Sequence, residues 1–448
     1  MDRTVRHVLV ATSLSYVVVV LDTSIVNVAL QPISDALAAD ITGLQWVINA
    51  YTLAFASLLL TGGLLGDRFG AKRIYGLGLL LFALASALCG LASGLPALVA
   101  ARVLQGVGAA LLVPCSLMLI NSAYPHAHQR ASAIGVWAGC GGMAMAAGPL
   151  VGGVLIELLG WRSIFLINVP IALLGVWLST RIAQSPPLAP NRHLDLTGQV
   201  AGSVALATSV AVLIEGARLG WHSPWVYCAV LLAAAAWWGF LRIEHRHPDP
   251  MLPLQYLRDP LFAGAAFLSW ASALVFYGVF FLLSLYFQAH RGWSPLDTGL
   301  AFLPLTAMVT LGSFTSGRLT RALGVSRVLI AGFTLYTFGF LGLFSLAGNT
   351  PYWRVALCYP ALGLGAGLIT PAATAMLMGV VDRGRAGVAA GMLNASRQCG
   401  SVFGVAIFGA LLTSIQPLDV AIEVAVGAAA GLSGVALVLA LLLVNRSD

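Results

Sequence analysis

Asp22 is the one acid in Val8–Leu30, an otherwise apolar run. A carboxylate in hydrocarbon costs about 2.5–3.5 kcal/mol on insertion scales, so a membrane segment that keeps one uses it. Two cations are placed in the same way: Arg102 within 97–120, followed one turn on by Gln105, and Arg397 within 388–413, beside Gln398. A carboxyl group at such a depth can carry a proton, because desolvation disfavours its charged form and water or a cation favours it. A fixed hydrogen bond or ion pair between helices is the alternative. At about 1.5 Å per residue, Asp22 lies roughly 12 Å below one end of its segment and Arg102 roughly 8 Å below the matching end of its own. The depths predict a direct or water-bridged contact in which Arg102 tunes the protonation of Asp22 and Gln105 or nearby polar groups complete the network. An arginine snorkelling to the interface is the competing reading. Ser15, seven residues before Asp22, shares its helix face and joins Asn27 as a candidate for the same network. Arg397 and Gln398 either line a cavity or lock helices together.

The elements that position these groups are membrane helices. The chain is 59% hydrophobic and 9% charged over 448 residues, which no soluble domain matches. Apolar stretches of about 20 residues recur throughout, without the period-two alternation of a membrane β-barrel. Fourteen spans are expected: 8–30, 46–66, 74–95, 97–120, 132–156, 163–181, 196–215, 224–243, 261–286, 297–316, 327–347, 354–379, 388–413 and 422–444. The fold class is all-α integral membrane: two pseudo-symmetric six-helix bundles, 1–182 and 261–448, with two linker helices in 183–260. The longest polar connectors, 182–195 (Pro186, Pro187, Pro190) and 244–260 (Pro248, Pro250, Pro253, Pro260), bracket the linker helices. Val8–Leu30 is too long for a cleavable signal, carries Asp22 and lacks a small-residue cleavage site.

The 23 cations against 16 anions sit in short loops, so they report topology and not nucleic-acid binding. With the N-terminus in the cytoplasm, seventeen Lys and Arg face inward, among them Arg192, Arg383 and Arg385. Four face outward: Arg162, Arg218, Arg291 and Arg354. Both termini are therefore expected to be cytoplasmic, in a cell inner (plasma) membrane. Glu157 and Glu215 fall at outer span ends as rim charge. The six cysteines form no CxxC pair and read as small core residues, and the eight histidines lie in loops or at span ends. No metal site and no cofactor are expected. No nucleophile–base pair or H-E-x-x-H helix lies at membrane depth, which argues against an enzyme.

The turn after the second span repeats. Gly317, Leu319, Gly324 and Arg327 match Gly63, Leu65, Gly70 and Arg73 at an offset of 254 residues, with Arg321 where the first copy has Asp67. Parallel repeats of this kind point to alternating access around a central site.

The segment Gly63-Leu64-Leu65-Gly66-Asp67-Arg68-Phe69-Gly70-Ala71-Lys72-Arg73 resembles the signature G-x-L-x-D-R-x-G-x-K/R-R of the major facilitator superfamily. Leu21–Leu30 resembles the first-helix motif of that superfamily's fourteen-helix drug:proton antiporters, although Gln31 intervenes before Pro32. Arg102–Gly108, Trp161–Pro170 and Arg397-Gln398 are also similar, and Gly148-Pro149-Leu150-Val151-Gly152-Gly153 resembles the antiporter motif of the fifth helix, with Ala144 at a usual glycine. The resemblance covers nearly the whole chain. It implies a proton-coupled exporter of small hydrophobic or amphipathic compounds such as antibiotics, with a proton-coupled uptake carrier as the second reading.

Under that resemblance, the glycines of 63–73 allow sharp backbone geometry, and Asp67, Arg68, Lys72 and Arg73 form a cytoplasmic latch. Gly135, Gly139, Ala144, Gly148 and Gly152, with Pro149 and Gly153, give the fifth span a face that a partner helix approaches closely. The expected partners are a small-molecule substrate, protons and the bilayer, with the chain acting as a monomer. Asp22 is committed to the proton and two intramembrane arginines are left over. The cavity is therefore expected to favour neutral, zwitterionic or anionic compounds over strongly cationic dyes.

Overall fold

The computed structural model describes residues 3–183, 195–247, 254–344, 350–381 and 386–447. Arg192, Arg383 and Arg385 and the connector prolines 186, 187, 190, 248, 250 and 253 lie outside them. Fourteen helices among the described residues are long and apolar enough to cross a membrane. They are α1 Val5–Leu37, α2 Ile41–Phe69, α3 Ala71–Gly90, α4 Leu95–Ala123, α5 His128–Leu159, α6 Ser163–Thr180 and α7 Leu196–Leu219. The rest are α8 Pro224–Arg246, α9 Pro260–His290, α10 Pro295–Leu323, α11 Val325–Leu343, α12 Tyr352–Gly379, α13 Ala389–Ser414 and α14 Leu418–Leu443. No strand occurs among the described residues. Several helices outrun the apolar windows that predict them, because the backbone stays helical past the hydrocarbon edge. Asp40 caps α2 by accepting from the Gly43 amide at 2.8 Å, five residues before the predicted start at 46.

Two helices break where proline dictates. Val26–Ala29 in α1 is a 3-10 turn just before Pro32, which has no N–H to bond the Val28 carbonyl. The helix resumes through Leu37. In α6, Ile167 separates Ser163–Leu166 from Asn168–Thr180, because Pro170 offers no donor to Leu166.

The turn predicted over 63–73 is shorter than expected. Helix α2 continues through Phe69 and α3 starts at Ala71, so Gly70 alone turns the chain at φ +94°. Gly324, its counterpart in the repeat, turns α10 into α11 at φ +89°. Both torsions belong to the region glycine favours. Gly66 is helical and does another job: a Cβ there would stand 2.8 Å from Cys115 Sγ.

Contacts divide the chain into two compact units, residues 1–203 with 292–300, and 204–291 with 301–448. In the first, α4 crosses α2 backbone to backbone: a Cβ on Gly106 would meet the Tyr51 carbonyl oxygen at 2.3 Å. In the second, α12 crosses α10 in the same manner, with a Cβ on Gly367 reaching Val309 O at 2.3 Å. Small residues at such crossings let dispersion act between backbones, which drives helix association where hydrophobic burial offers little. Helix α8 presents Trp225, Leu231 and Trp238 outward, an apolar surface suited to lipid.

Candidate functional site

Asp22 is fully buried in the first unit, and its two carboxylate oxygens collect three donors from two helices. Gln105 Nε2 and Asn168 Nδ2 donate to Oδ1 at 2.8 and 2.9 Å. Arg102 pairs with Oδ2 through Nη1. The pair is sealed from solvent, at 1% exposure for Arg102 and 0% for Asp22. Arg102 also donates from Nε to the Val47 carbonyl at 3.0 Å and from Nη1 to Gln105 Oε1 at 2.7 Å. Its guanidinium lies 4.3 Å from the centre of the Tyr51 ring and 5.7 Å from that of Phe165, so aromatic faces cover the charge. Gln105 Nε2 further donates to Ser86 Oγ at 2.9 Å, and Ser86 passes its hydrogen to Phe82 O at 2.7 Å.

Each position follows from local sequence. Arg102 and Gln105, three residues apart, share one face of α4. Gly106 beside them lets α4 press on α2, which brings the Val47 carbonyl and the Tyr51 ring to Arg102. Asn168 opens the second piece of α6 just after the break that Pro170 imposes. On α1, a Cβ at Gly148 of α5 would collide with Ser24 Oγ at 1.8 Å, so glycine there lets α5 seat two residues from Asp22. Gly152 continues the seat against Ile25, at 2.6 Å for an added Cβ.

Both oxygens of Asp22 act as acceptors, Oδ1 for two donors and Oδ2 for one, so the carboxylate ties α1 to α4 and to α6. Asn168 Oδ1 makes no hydrogen bond in this arrangement, nor does either side-chain polar atom of Asn49, which is buried on α2. Orphaned polar atoms cost roughly 1–3 kcal/mol each.

Not every candidate joins. Ser15 donates to Thr12 O of its own helix at 2.9 Å, and Asn27 to Thr23 O at 3.1 Å. Arg397 is half-buried on α13 and donates to Asn394 Oδ1 at 3.0 Å, with Gln398 half-buried beside it. In the 63–73 segment, Lys72 donates to Ile182 O, Arg68 lies over the Phe69 ring at 5.3 Å, Arg73 is exposed and Asp67 is half-buried. Gly63 packs on Pro114, at 3.6 Å for an added Cβ. Pro149 and Gly153 of α5 face the start of α10, where a Cβ on Gly299 would stand 2.3 Å from Pro149 O and one on Gly153 2.7 Å from Leu296 Cα. Nothing lies within 4 Å of a Cβ added at Gly135. Glu215 pairs with Arg218 at 2.7 Å on the surface, and Glu157 is exposed. Asn168, Ser86 and Tyr51 were not singled out by sequence. Their signal is a polar or aromatic group deep in a span, which many helix contacts also produce. Among the described residues no three His, Cys, Asp or Glu cluster as a metal site would need.

The profile of the Major Facilitator Superfamily matches residues 12–324 and, a second time, 265–448. The chain belongs to that superfamily. The second match begins near the start of α9, where the sequence repeat also places its second copy. Curated relatives align along almost all of the chain. The methylenomycin A resistance protein of Streptomyces coelicolor is 36% identical over 409 residues, 91% of this chain and 86% of its own. The multidrug resistance protein Stp of Mycobacterium tuberculosis is 35% identical over 417 residues, 92% of this chain and 77% of its own. The tetracenomycin C resistance and export protein of Streptomyces glaucescens is 34% identical over 412 residues, 91% and 76% respectively. This superfamily member is accordingly a multi-pass membrane protein and a transporter.

Proposed function

We propose that this protein exports small hydrophobic or amphipathic compounds, antibiotics among them, in exchange for protons. Relatives named for drug resistance and export support the direction and the class of cargo. The observation that carries the coupling is the closed Asp22–Arg102–Gln105–Asn168 network.

The cycle follows from its chemistry. In the sealed state Arg102 neutralises Asp22 and ties α4 to α1. When the first half opens to the outside, water reaches the carboxylate, and a proton bound to it cancels the charge that holds Arg102. Arg102 then lacks its counter-charge, which favours the arrangement in which another group or water serves it. Return to the inside strips the proton and restores the pair. The halves 1–182 and 261–448, with 183–260 as an inserted pair of helices, serve transport by alternating access. Gly63, Gly66, Asp67, Arg68, Gly70, Lys72 and Arg73 act as the cytoplasmic latch, and Pro149, Gly152 and Gly153 keep the fifth helix tight while the latch is shut. The distribution of Lys and Arg supports cytoplasmic termini in the plasma membrane, and a monomer suffices for every step.

The test is transport in proteoliposomes under an imposed pH gradient, with Asp22→Asn beside the wild type and a small panel of antibiotics and dyes. Loss of gradient-driven accumulation with surviving counterflow is expected. Accumulation by the variant against a gradient would remove Asp22 from the coupling role.

A further inference from the structure

In the second unit α9, α12 and α13 border a small hollow of about 40 Å³, lined by Ser269, Thr370, Thr374, Asn394, Arg397 and two apolar side chains. Ser269 follows Pro260 by nine residues, Thr370 precedes Gly379 by nine, and Arg397 follows Ala386 by eleven. At about 1.5 Å per residue these three lie roughly 14–17 Å from their helix ends. Successive spans alternate in direction, so the start of α9, the end of α12 and the start of α13 share one face of the bilayer. The three groups therefore meet near the middle of a hydrocarbon core about 30 Å thick.

The charge in this hollow has no acidic counterpart among the described residues. Arg397 uses one of its five N–H donors on the neutral Asn394, and no carboxylate there pairs with it. Asn394 turns its amide to Ala390 O at 3.1 Å, and Thr374 gives its hydroxyl hydrogen to Thr370 O at 2.8 Å. Arg102 in the first unit is sealed against a carboxylate, whereas Arg397 is half-buried and open to the hollow. A guanidinium at mid-depth without a counter-ion must face water or an anion.

We infer that this hollow is a subsite for the anionic group of a transported compound, a carboxylate above all. The planar fork of Arg397 holds its two oxygens, and the Ser269 hydroxyl adds a third donor. At about 40 Å³ the hollow is far smaller than the roughly 300–1,000 Å³ of complete ligand sites, so it takes the charged end of a compound and leaves the apolar body outside. This rests on the export reading above and adds to it the charge of the cargo.

Two measurements test it. Rhodamine 110 carries a free carboxylate, and rhodamine 123 is its methyl ester. Binding of each dye to purified protein is followed by fluorescence polarisation for wild type, Arg397→Gln and Arg397→Lys. Arg397→Gln is expected to weaken rhodamine 110 about tenfold and leave rhodamine 123 within twofold, while Arg397→Lys retains most of the preference. Equal weakening of both dyes, or none, would overturn the subsite.

The second measurement needs no cargo. In Thr374→Cys protein, the rates of modification by an anionic and a cationic methanethiosulfonate are compared with those of exposed Cys228 in the same molecule, resolved by peptide mass. The hollow should favour the anionic reagent at least tenfold relative to Cys228, and adding Arg397→Gln should abolish this. A ratio equal to that of Cys228 overturns the inference even if a variant at 397 fails to fold. Absence of proton-driven export with an Arg397-dependent ratio would sink the antiport reading and leave the subsite standing. Intact export with an unbiased ratio would do the reverse.

Discussion

Neutralising Asp22 alone should destabilise the protein more than neutralising it together with Arg102, with the same effect on coupling. In Asp22→Asn, three donors converge on a side chain with one acceptor oxygen, and a guanidinium at 1% exposure loses its counter-charge. Breaking one side of a buried pair costs about 3–5 kcal/mol. For a cooperative unit of about 200 residues, roughly 2–4 °C per kcal/mol places the fall in melting midpoint at about 6–20 °C. Arg102→Gln leaves the carboxylate with two neutral donors and should cost a similar amount. In the double variant both buried charges are gone while Gln105 and Asn168 still offer hydrogen bonds. Its midpoint should recover at least half of either loss, giving an interaction energy of about 4.5 kcal/mol or more in the cycle. Gradient-driven export should stay absent in both variants that carry Asp22→Asn. The assay is thermal unfolding in detergent alongside proteoliposome transport. A double variant no more stable than the singles would refute the matched-pair reasoning, and a double variant that exports against a gradient would refute the assignment of coupling to Asp22.

Gly106→Val should destabilise by about 3 kcal/mol or more and cut transport, because even its first methyl carbon would stand 2.3 Å from Tyr51 O; a wild-type melting midpoint would contradict this. Gly148→Val should abolish export by forcing α5 off Ser24, whereas Gly135→Val, with open space around it, should leave transport within about twofold. Arg102→Ala should change the pH dependence of transport, and an unchanged profile measured from pH 5 to 9 would leave Arg102 with a packing role only. In folded protein a maleimide should label Cys228 and spare Cys89 and Cys115, both buried.

The membrane fold was legible because hydrocarbon imposes a single demand, about 20 apolar residues per crossing, and the chain meets it fourteen times. The contact between Asp22 and Arg102 was legible for a related reason. In a bundle of near-parallel helices, depth along the chain translates into height, and two charges at similar height in hydrocarbon seek each other. What height does not encode is rotation. Ser15 shares the face of Asp22 and yet bonds its own helix, while Asn168 reaches the carboxylate from α6 because the Pro170 break sets its orientation. The 63–73 segment differs in another way. Its glycines suggested a tight turn across the segment, but Gly66 serves helix packing and Gly70 turns the chain. Glycine is used for torsion and for proximity, and sequence alone does not separate the two.

In the proposed cycle, with Asp22 as the proton site, its sealing sets a limit on leak. An exchanger wastes its gradient whenever the proton site communicates with both sides, or opens without cargo aboard. Parting a buried pair at about 3–5 kcal/mol makes such accidental openings roughly 10²–10⁴ times rarer, at 1.36 kcal/mol per decade. The same factor slows every productive cycle unless cargo or an incoming proton offsets it. A tighter pair would give a thriftier but slower pump, and a looser one a faster pump that drains the cell.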